Sequence, residues 1–340
     1  MSIRKSVTCL TNDERDSLLA AVIRMKATVA NPNAPVDKQI SVFDQFEAIH
    51  LGCLTVTVPD GSNVNMGHGG PGFLPWHREF LLRFEKALIE HGSSIGLPYW
   101  DWTDHTGTLE RLFVDEFLGA RDGLIISGYF GYDAPGTGEN SFPRPDWWPE
   151  GLEGWRIRSS LDGGLGTTLL RRLNSRSLAI PEDVRRTLSR PVYEDSGTVL
   201  EVDPISGSGT LDSQPRGFRN RLEAGRRMHN FGHGWVGGHM GNRYASPNDL
   251  IFFLHHCNID RLWAEWQENG HQGIAYYPGP NSGEDEGHKL NDAMWPWVGD
   301  REGYISRLLP DDTPIPDVTG ESERTPADVI DHRPLGYIYQ

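Results

Sequence analysis

Three observations on the sequence predict a mainly α protein. Four stretches repeat apolar residues at helical spacing. The connections between them are long and rich in Gly, Pro, Asp and Ser. Hydrophobic residues make up 37% of the chain and include 11 tryptophans, enough for a packed core. The expectation is a small helical core with long loops and little β structure, in one domain over residues 1–340.

The first stretch, TNDERDSLLAAVIRMKATV (residues 11–29), opens on Thr11 as an N-cap and turns Leu18, Leu19, Val22 and Ile23 inward. The second, DKQISVFDQFEAIHLG (37–52), sets Phe43, Phe46 and Ile49 beside His50. The third, FLPWHREFLLRFEKALIEHG (73–92), puts His77 on the same face as Phe80, Leu81 and Phe84. The fourth, SPNDLIFFLHHCNIDRLWAEWQENG (246–270), opens on a Ser-Pro-Asn-Asp cap signal and repeats Leu254, Ile259, Leu262, Trp263 and Trp266. A shorter segment, RRMHNFGHGWVGG (226–238), has room for two helical turns before its glycines end it. Residues 103–215 turn to loop chemistry, and long loops in a compact protein shape or cover a site.

The net charge of −15, with no basic stripe, argues against nucleic acid as a partner. No stretch approaches the ~18 apolar residues of a membrane span. The N-terminal MSIRKSVTCLTNDERDSLL lacks the apolar core of a Sec signal and has no twin arginine. The expected location is therefore cytoplasmic, or outside the cell by way of a partner that carries the signal. Cys9, Cys53 and Cys257 are too few and too scattered for a disulfide framework, and buried free thiols are expected.

The chain has 13 histidines, and they are not scattered evenly. His50, His68 and His77 lie in the first part. His229 and His233 follow at i, i+4, one face of a helix, and His255-His256 sit inside an apolar stretch. Imidazole suits copper, zinc, iron and nickel, and a neutral three-histidine site leaves a coordination position open. Taken singly, a core histidine is usually a hydrogen-bonded packing residue. Two adjacent buried imidazoles are harder to explain that way, because each unpartnered ring costs ~1–3 kcal/mol. Ligation at one and a supporting hydrogen bond at the other removes that cost, and periodicity alone does not choose between them. The segment HNFGH lacks the glutamate of an HExxH zinc protease. His91, His105, His271, His288 and His332 are expected to be solvated, and His239 to line a site mouth.

These residues resemble the tyrosinase family. GGPGFLPWHREFLLRFEKAL is similar to its first copper motif, and HNFGHGWVGGHM with SPNDLIFFLHHCNIDRLWAEWQ to its second. LPYWDW, LNDAMWPW and TPADVIDHRPLGYIY resemble the accompanying segments of Streptomyces-type bacterial members. The resemblance implies a four-helix core holding a type 3 centre of two copper ions, with O2 as co-substrate. It implies His50, His68 and His77 as ligands of the first copper, and His229, His233 and His256 as ligands of the second. It implies oxidation of a small phenol, o-diphenol or o-aminophenol to the quinone or quinone imine, with ortho-hydroxylation where a water-held base is present. The family draws that base from a glutamate and an asparagine, matched here by Glu223 and Asn230. Only five residues separate Glu223 from His229, a shorter gap than the family's. Met66 stands where some relatives carry a cross-linking cysteine, Leu250 replaces a proline, and Gly234 replaces a larger residue at the site entrance. The family also implies a copper-delivering caddie protein as partner.

Three alternatives follow. One is an oxidase restricted to o-diphenols or o-aminophenols, of the kind found in secondary metabolism. Another is an oxygen carrier of the haemocyanin type, which has an added β-rich domain. The last, a mononuclear zinc hydrolase, would leave three histidines unused. Asp260, four residues after His256, is expected either to support that ring or to join a helix salt bridge near Arg261. Phe252 and Phe253 are expected to surround the metal pair.

Overall fold

A computed structural model describes residues 1–159, 164–205, 211–279, 282–309 and 323–340. The helices are α1 (Asn12–Ala27), α2 (Val42–Cys53), α3 (Phe73–Glu90), the single turn α4 (His105–Gly107), α5 (Pro181–Leu188), α6 (Phe218–Ala224), α7 (His229–Val236), α8 (Ile251–Glu268) and α9 (Pro326–Val329). Thr11 caps α1 through a reciprocal box with Glu14, and Ser41 caps α2 through the Asp44 amide. Helix α3 lies along α8, α1 covers α2 and α3, and α7 packs on α8. Phe43, Phe46, Phe80, Phe84 and Phe253 interlock where α2, α3 and α8 meet. Phe84 stacks on Phe253 at 3.6 Å and Phe46 meets Phe84 edge-on at 5.1 Å. Phe253 is therefore core, while Phe252 faces the histidines.

Helix α8 begins later than its cap signal. Ser246–Asn248 form a 3-10 turn, and the Asp249 carboxylate accepts from the Ile251 amide at 3.2 Å. The same carboxylate is gripped twice by buried Arg171, at 2.6 and 2.8 Å. That ion pair fixes the turn, so the helix starts beyond it.

The stretch read as loop carries three antiparallel ribbons among its described residues. Asp122–Leu124 pairs with Leu170–Arg172, Arg156–Ser159 with Gly164–Thr168, and Thr198–Val202 with Leu211–Pro215. Each strand is only three to five residues long, which hides it from a search for helical periodicity. A three-stranded sheet of Ile305–Ser306, Val56–Thr57 and Asn63–Val64 flanks α2.

The two ends of the chain meet. Ser2–Arg4 runs parallel to Tyr337–Tyr339. Arg4 is fully buried, donates to Glu85 of α3 at 2.6 Å and to Asp260 of α8 at 3.1 Å, and lies over the Tyr337 ring at 3.5 Å. Arg78 donates to the other oxygen of Asp260 at 2.5 Å. The hydroxyls of Tyr337 and Tyr339 also donate to Asp260. Asp260 thus supports neither His256 nor a pair near Arg261; it joins α3, α8 and both termini. Burial alone would raise its carboxyl, but the guanidiniums of Arg78 and Arg4 hold it below the usual range.

Removing one member of a buried charge network strands the others in low dielectric. Asp260→Ala is therefore expected to cost ~3–5 kcal/mol in urea unfolding. Glu90→Ala, which breaks an exposed pair with Lys86, is expected to leave the midpoint unchanged. Equal midpoints for the two variants would contradict the network's role.

Candidate metal centre

His50 comes from the last turns of α2, His77 from the first turns of α3, and His68 from the loop 65–72 between them. One ring nitrogen of each lies within 4.8 Å of the others. His77 Nδ1 donates to the Phe73 carbonyl at 2.8 Å, so its Nε2 carries the lone pair. That Nε2 is buried without a partner, as are both nitrogens of His50 and Nδ1 of His68.

The second group stands on α7 and α8. His233 Nδ1 donates to the Met240 carbonyl at 2.9 Å, and His229 Nδ1 to Asn230 Oδ1 at 2.9 Å. Their Nε2 atoms then both carry lone pairs, yet they face each other at 3.1 Å. His256 Nε2 lies 3.3 Å from His233 Nε2. Lone pairs aimed at one another repel, and a cation between them reverses the sign.

His255 has the same burial but a different environment. Its Nδ1 lies 3.0 Å from Nε1 of Trp102, in the LPYWDW segment. An indole N–H only donates, so Nδ1 must accept and the neutral ring keeps its proton on Nε2. The lone pair is thereby taken, while the protonated Nε2 is buried without a hydrogen-bond partner. Gly232 of α7 makes room for this ring: a Cβ there would lie 2.3 Å from His255 Cε1.

The two groups face each other, with the His77 and His256 rings stacked at 4.1 Å and the His68 and His229 rings tilted at 6.1 Å. Apolar rings close the sides. Phe252 lies 4.9 Å from His50 and 4.2 Å from His256, and Phe73 lies 4.9 Å from His77 and 4.8 Å from His229. Burial is the main reason that every one of these rings resists protonation, with neighbouring histidines adding to it. His233 is pushed down to about 4. Six neutral, desolvated imidazoles with converging ring nitrogens fit a pair of soft cations and do not fit protons.

Glu223 stands by the His68 loop and Asn230 beside His229. Asn230 is exposed beside His229. Glu223 is buried and accepts from the Gly69 amide, next to His68, at 2.8 Å and from Arg219. Burial pushes its carboxyl up, against the pull of Arg219 and the amide. The shorter gap before His229 therefore still delivers Glu223 to the His68 loop. Gly234 is exposed, with open space where a side chain would stand.

Other histidines depart from expectation. His288 and His332 are buried, and His91, His105 and His271 are half-buried, so none of the five is fully solvated. His239 accepts from the Leu170 amide at 2.9 Å and holds the α7 end to a strand. Cys53 and Cys257 are buried as expected, but Cys9 is exposed. Sequence reasoning also missed Trp102 and Tyr193; the latter donates to the Pro71 carbonyl of the His68 loop at 2.7 Å. Only the long-range fold joins such residues to the site.

A sequence profile described as the common central domain of tyrosinase matches residues 40–269. The chain belongs to the tyrosinase family. A tyrosinase of Streptomyces antibioticus is 35% identical over 308 residues, covering 87% of this chain and 93% of its own. Grixazone synthase of Streptomyces griseus is 29% identical over 353 residues, covering 97% and 96%. A polyphenol oxidase structure from Thermothelomyces thermophila superposes with a TM-score of 0.61 at 21% identity, covering 100% of this chain and 89% of that one. An octopus haemocyanin unit superposes with a TM-score of 0.53 at 20% identity, covering 100% and 68%, a likeness of fold alone. Family membership makes this tyrosinase-family chain a copper-dependent oxidoreductase with a dicopper centre.

The lowered histidine pKa values set a pH dependence. Below about pH 6.5 the unfolded chain binds protons that the folded, metal-free chain refuses. Stability is full above that value and falls toward about 4, where the His233 ring takes its proton. Melting temperatures of metal-free protein are expected to drop steadily from about pH 7.5 to about pH 5. Copper-loaded protein is expected to hold its melting temperature until acid releases the metal. A flat metal-free profile would contradict neutral, desolvated rings.

Proposed function

We propose that His50, His68 and His77 hold one copper ion and that His229, His233 and His256 hold the second. The observation that carries this reading is the facing of the His229 and His233 Nε2 lone pairs with no proton between them, and the convergence of His256 Nε2 on the same point. His256 is preferred over His255 because Trp102 already claims the His255 lone pair. One catalytic domain over residues 1–340 is supported by the pairing of the first strand with the last.

When bound, the copper pair supplies O2 binding and two-electron oxidation of a phenolic ring. The protein's residues supply the rest. Phe73 and Phe252 keep water from the histidine rings. The bare surface at Gly234 admits a substituted phenol, o-diphenol or o-aminophenol. Asn230 fixes the His229 ring through Nδ1 and leaves its amide free at the rim. Glu223 and Asn230 act as the pair that holds a water to take the phenol proton, the Glu223 carboxylate being the acceptor. Copper delivery by a caddie protein fits ligands that lie beneath the surface. Among the described residues no helix is long and apolar enough to cross a membrane.

A specific observation favours a second reading, an o-diphenol or o-aminophenol oxidase without hydroxylase activity. Both Glu223 oxygens are already engaged, one by Gly69 and one by Arg219, which leaves less basicity for a water. Oxygen uptake by copper-loaded protein separates the two readings. L-DOPA and an o-aminophenol are expected to drive uptake directly, and L-tyrosine more slowly after a lag. Glu223→Gln is expected to lower tyrosine uptake about a hundredfold, more than it lowers L-DOPA uptake. Uptake with the diphenol and aminophenol but none with tyrosine would establish the restricted oxidase. No uptake with any of the three, despite two bound coppers, would contradict both readings.

A further inference from the structure

The loop 65–72 that carries His68 has no regular structure of its own, and its backbone is held by the side chain of its first residue and by side chains from distant parts of the fold. Asn65 Oδ1 accepts from the Gly67 and His68 amides at 3.2 and 2.9 Å. Glu223 and Tyr193 each take one further group. His288, from the segment EDEGHKLND, does something that none of these does. It is buried, and its Nδ1 accepts from the Gly72 amide at 3.0 Å. The Asn65 backbone, at the other end of the loop, also lies against the ring. With Nδ1 accepting, the neutral ring carries its proton on Nε2. One imidazole therefore lies against both ends of the loop and is hydrogen-bonded at Gly72.

The glycines of the loop are shaped to this ring. A Cβ at Gly70 would lie 2.7 Å from His288 Cε1, and one at Gly72 would lie 2.6 Å from Nδ1. The ring is itself held: the Asp292 carboxylate accepts from the Gly287 and Lys289 amides on either side of it, both at 3.0 Å. His288 touches none of the six proposed ligands.

We propose that His288 is a positioning residue for the first copper, clasping loop 65–72 in the form that presents His68. The proposal rests on the reading of His68 as a ligand. Losing a residue that orients a ligand costs about tenfold to a hundredfold in metal affinity. The clasp acts through its hydrogen bond from the Gly72 amide, so near-isosteric replacements separate it from packing. His288→Asn keeps an acceptor close to the position of Nδ1, and His288→Leu keeps the bulk and loses the acceptor.

The test is release of copper to a chelator from fully loaded protein, with amide hydrogen exchange of residues 65–72 in the metal-free protein. His288→Leu is expected to release one of its two coppers about tenfold faster than the parent and to lose protection in residues 65–72. His288→Asn is expected to release copper at the parental rate. Equal release from the two variants, fast or slow, overturns the proposal. If the Leu variant does not fold, the Asn variant decides alone: parental release with protected amides supports the clasp, and early loss of copper overturns it. A parent that binds fewer than two coppers would instead overturn the ligand reading.

Discussion

Six imidazoles, stripped of water and aimed at one another, are the constraint on which the rest of the structure depends. An unpartnered buried ring costs ~1–3 kcal/mol, and the facing lone pairs of His229 and His233 add repulsion. A flexible scaffold would relax away from such a geometry. This one is held from outside by the interlocked phenylalanines of α2, α3 and α8 and by the Asp260 network. Arg78 directly follows His77 and Asp260 lies one turn beyond His256, so their ion pair ties together the helix turns whose rings stack at 4.1 Å. The chain termini close that network, which explains why two short strands at opposite ends of the sequence carry fully buried contacts to α3 and α8.

The choice between adjacent histidines shows the same economy of means. His255 and His256 are equally buried and equally surrounded by aromatic rings. What separates them is a single donor. Trp102 sets the tautomer of His255 and uses up its lone pair, while His256 keeps Nε2 pointed at His233. The Trp102 segment runs beside α8, with the Trp100 amide on the Leu254 carbonyl and the Cys257 thiol on the Leu97 carbonyl. A connection that looks like a spacer after α3 therefore regulates the chemistry of α8.

Much of this was legible in the sequence where the signal is local. The Thr11 cap, the inward Leu18, Leu19, Val22 and Ile23, and the i, i+4 pair His229 and His233 follow from helical spacing, and the structure has them all. The glycine stop after Val236 is realised at Gly237, which takes φ +62. Local rules failed where the deciding partner is distant. Ser246–Asn248 reads as a helix start until Arg171 claims Asp249. Asp260 reads as a helper of His256 until Arg4 and Arg78 arrive from elsewhere in the chain. His288 reads as a solvated loop residue, because nothing near it in sequence predicts that Gly70 and Gly72 leave space for its ring. The ribbons within residues 103–215 were hidden by turn-rich composition, although Thr198–Val202 carries β-branched residues suited to a strand.

Copper content separates the adjacent histidines most directly. His255→Ala and His256→Ala are each loaded with excess copper, freed of loosely bound metal and assayed for copper per chain. Two equivalents in the His255 variant and one in the His256 variant are expected, since only His256 offers a lone pair to the second group. One equivalent in the His255 variant with two in the His256 variant would show that the Trp102 bond does not set the ligand, and would contradict the assignment.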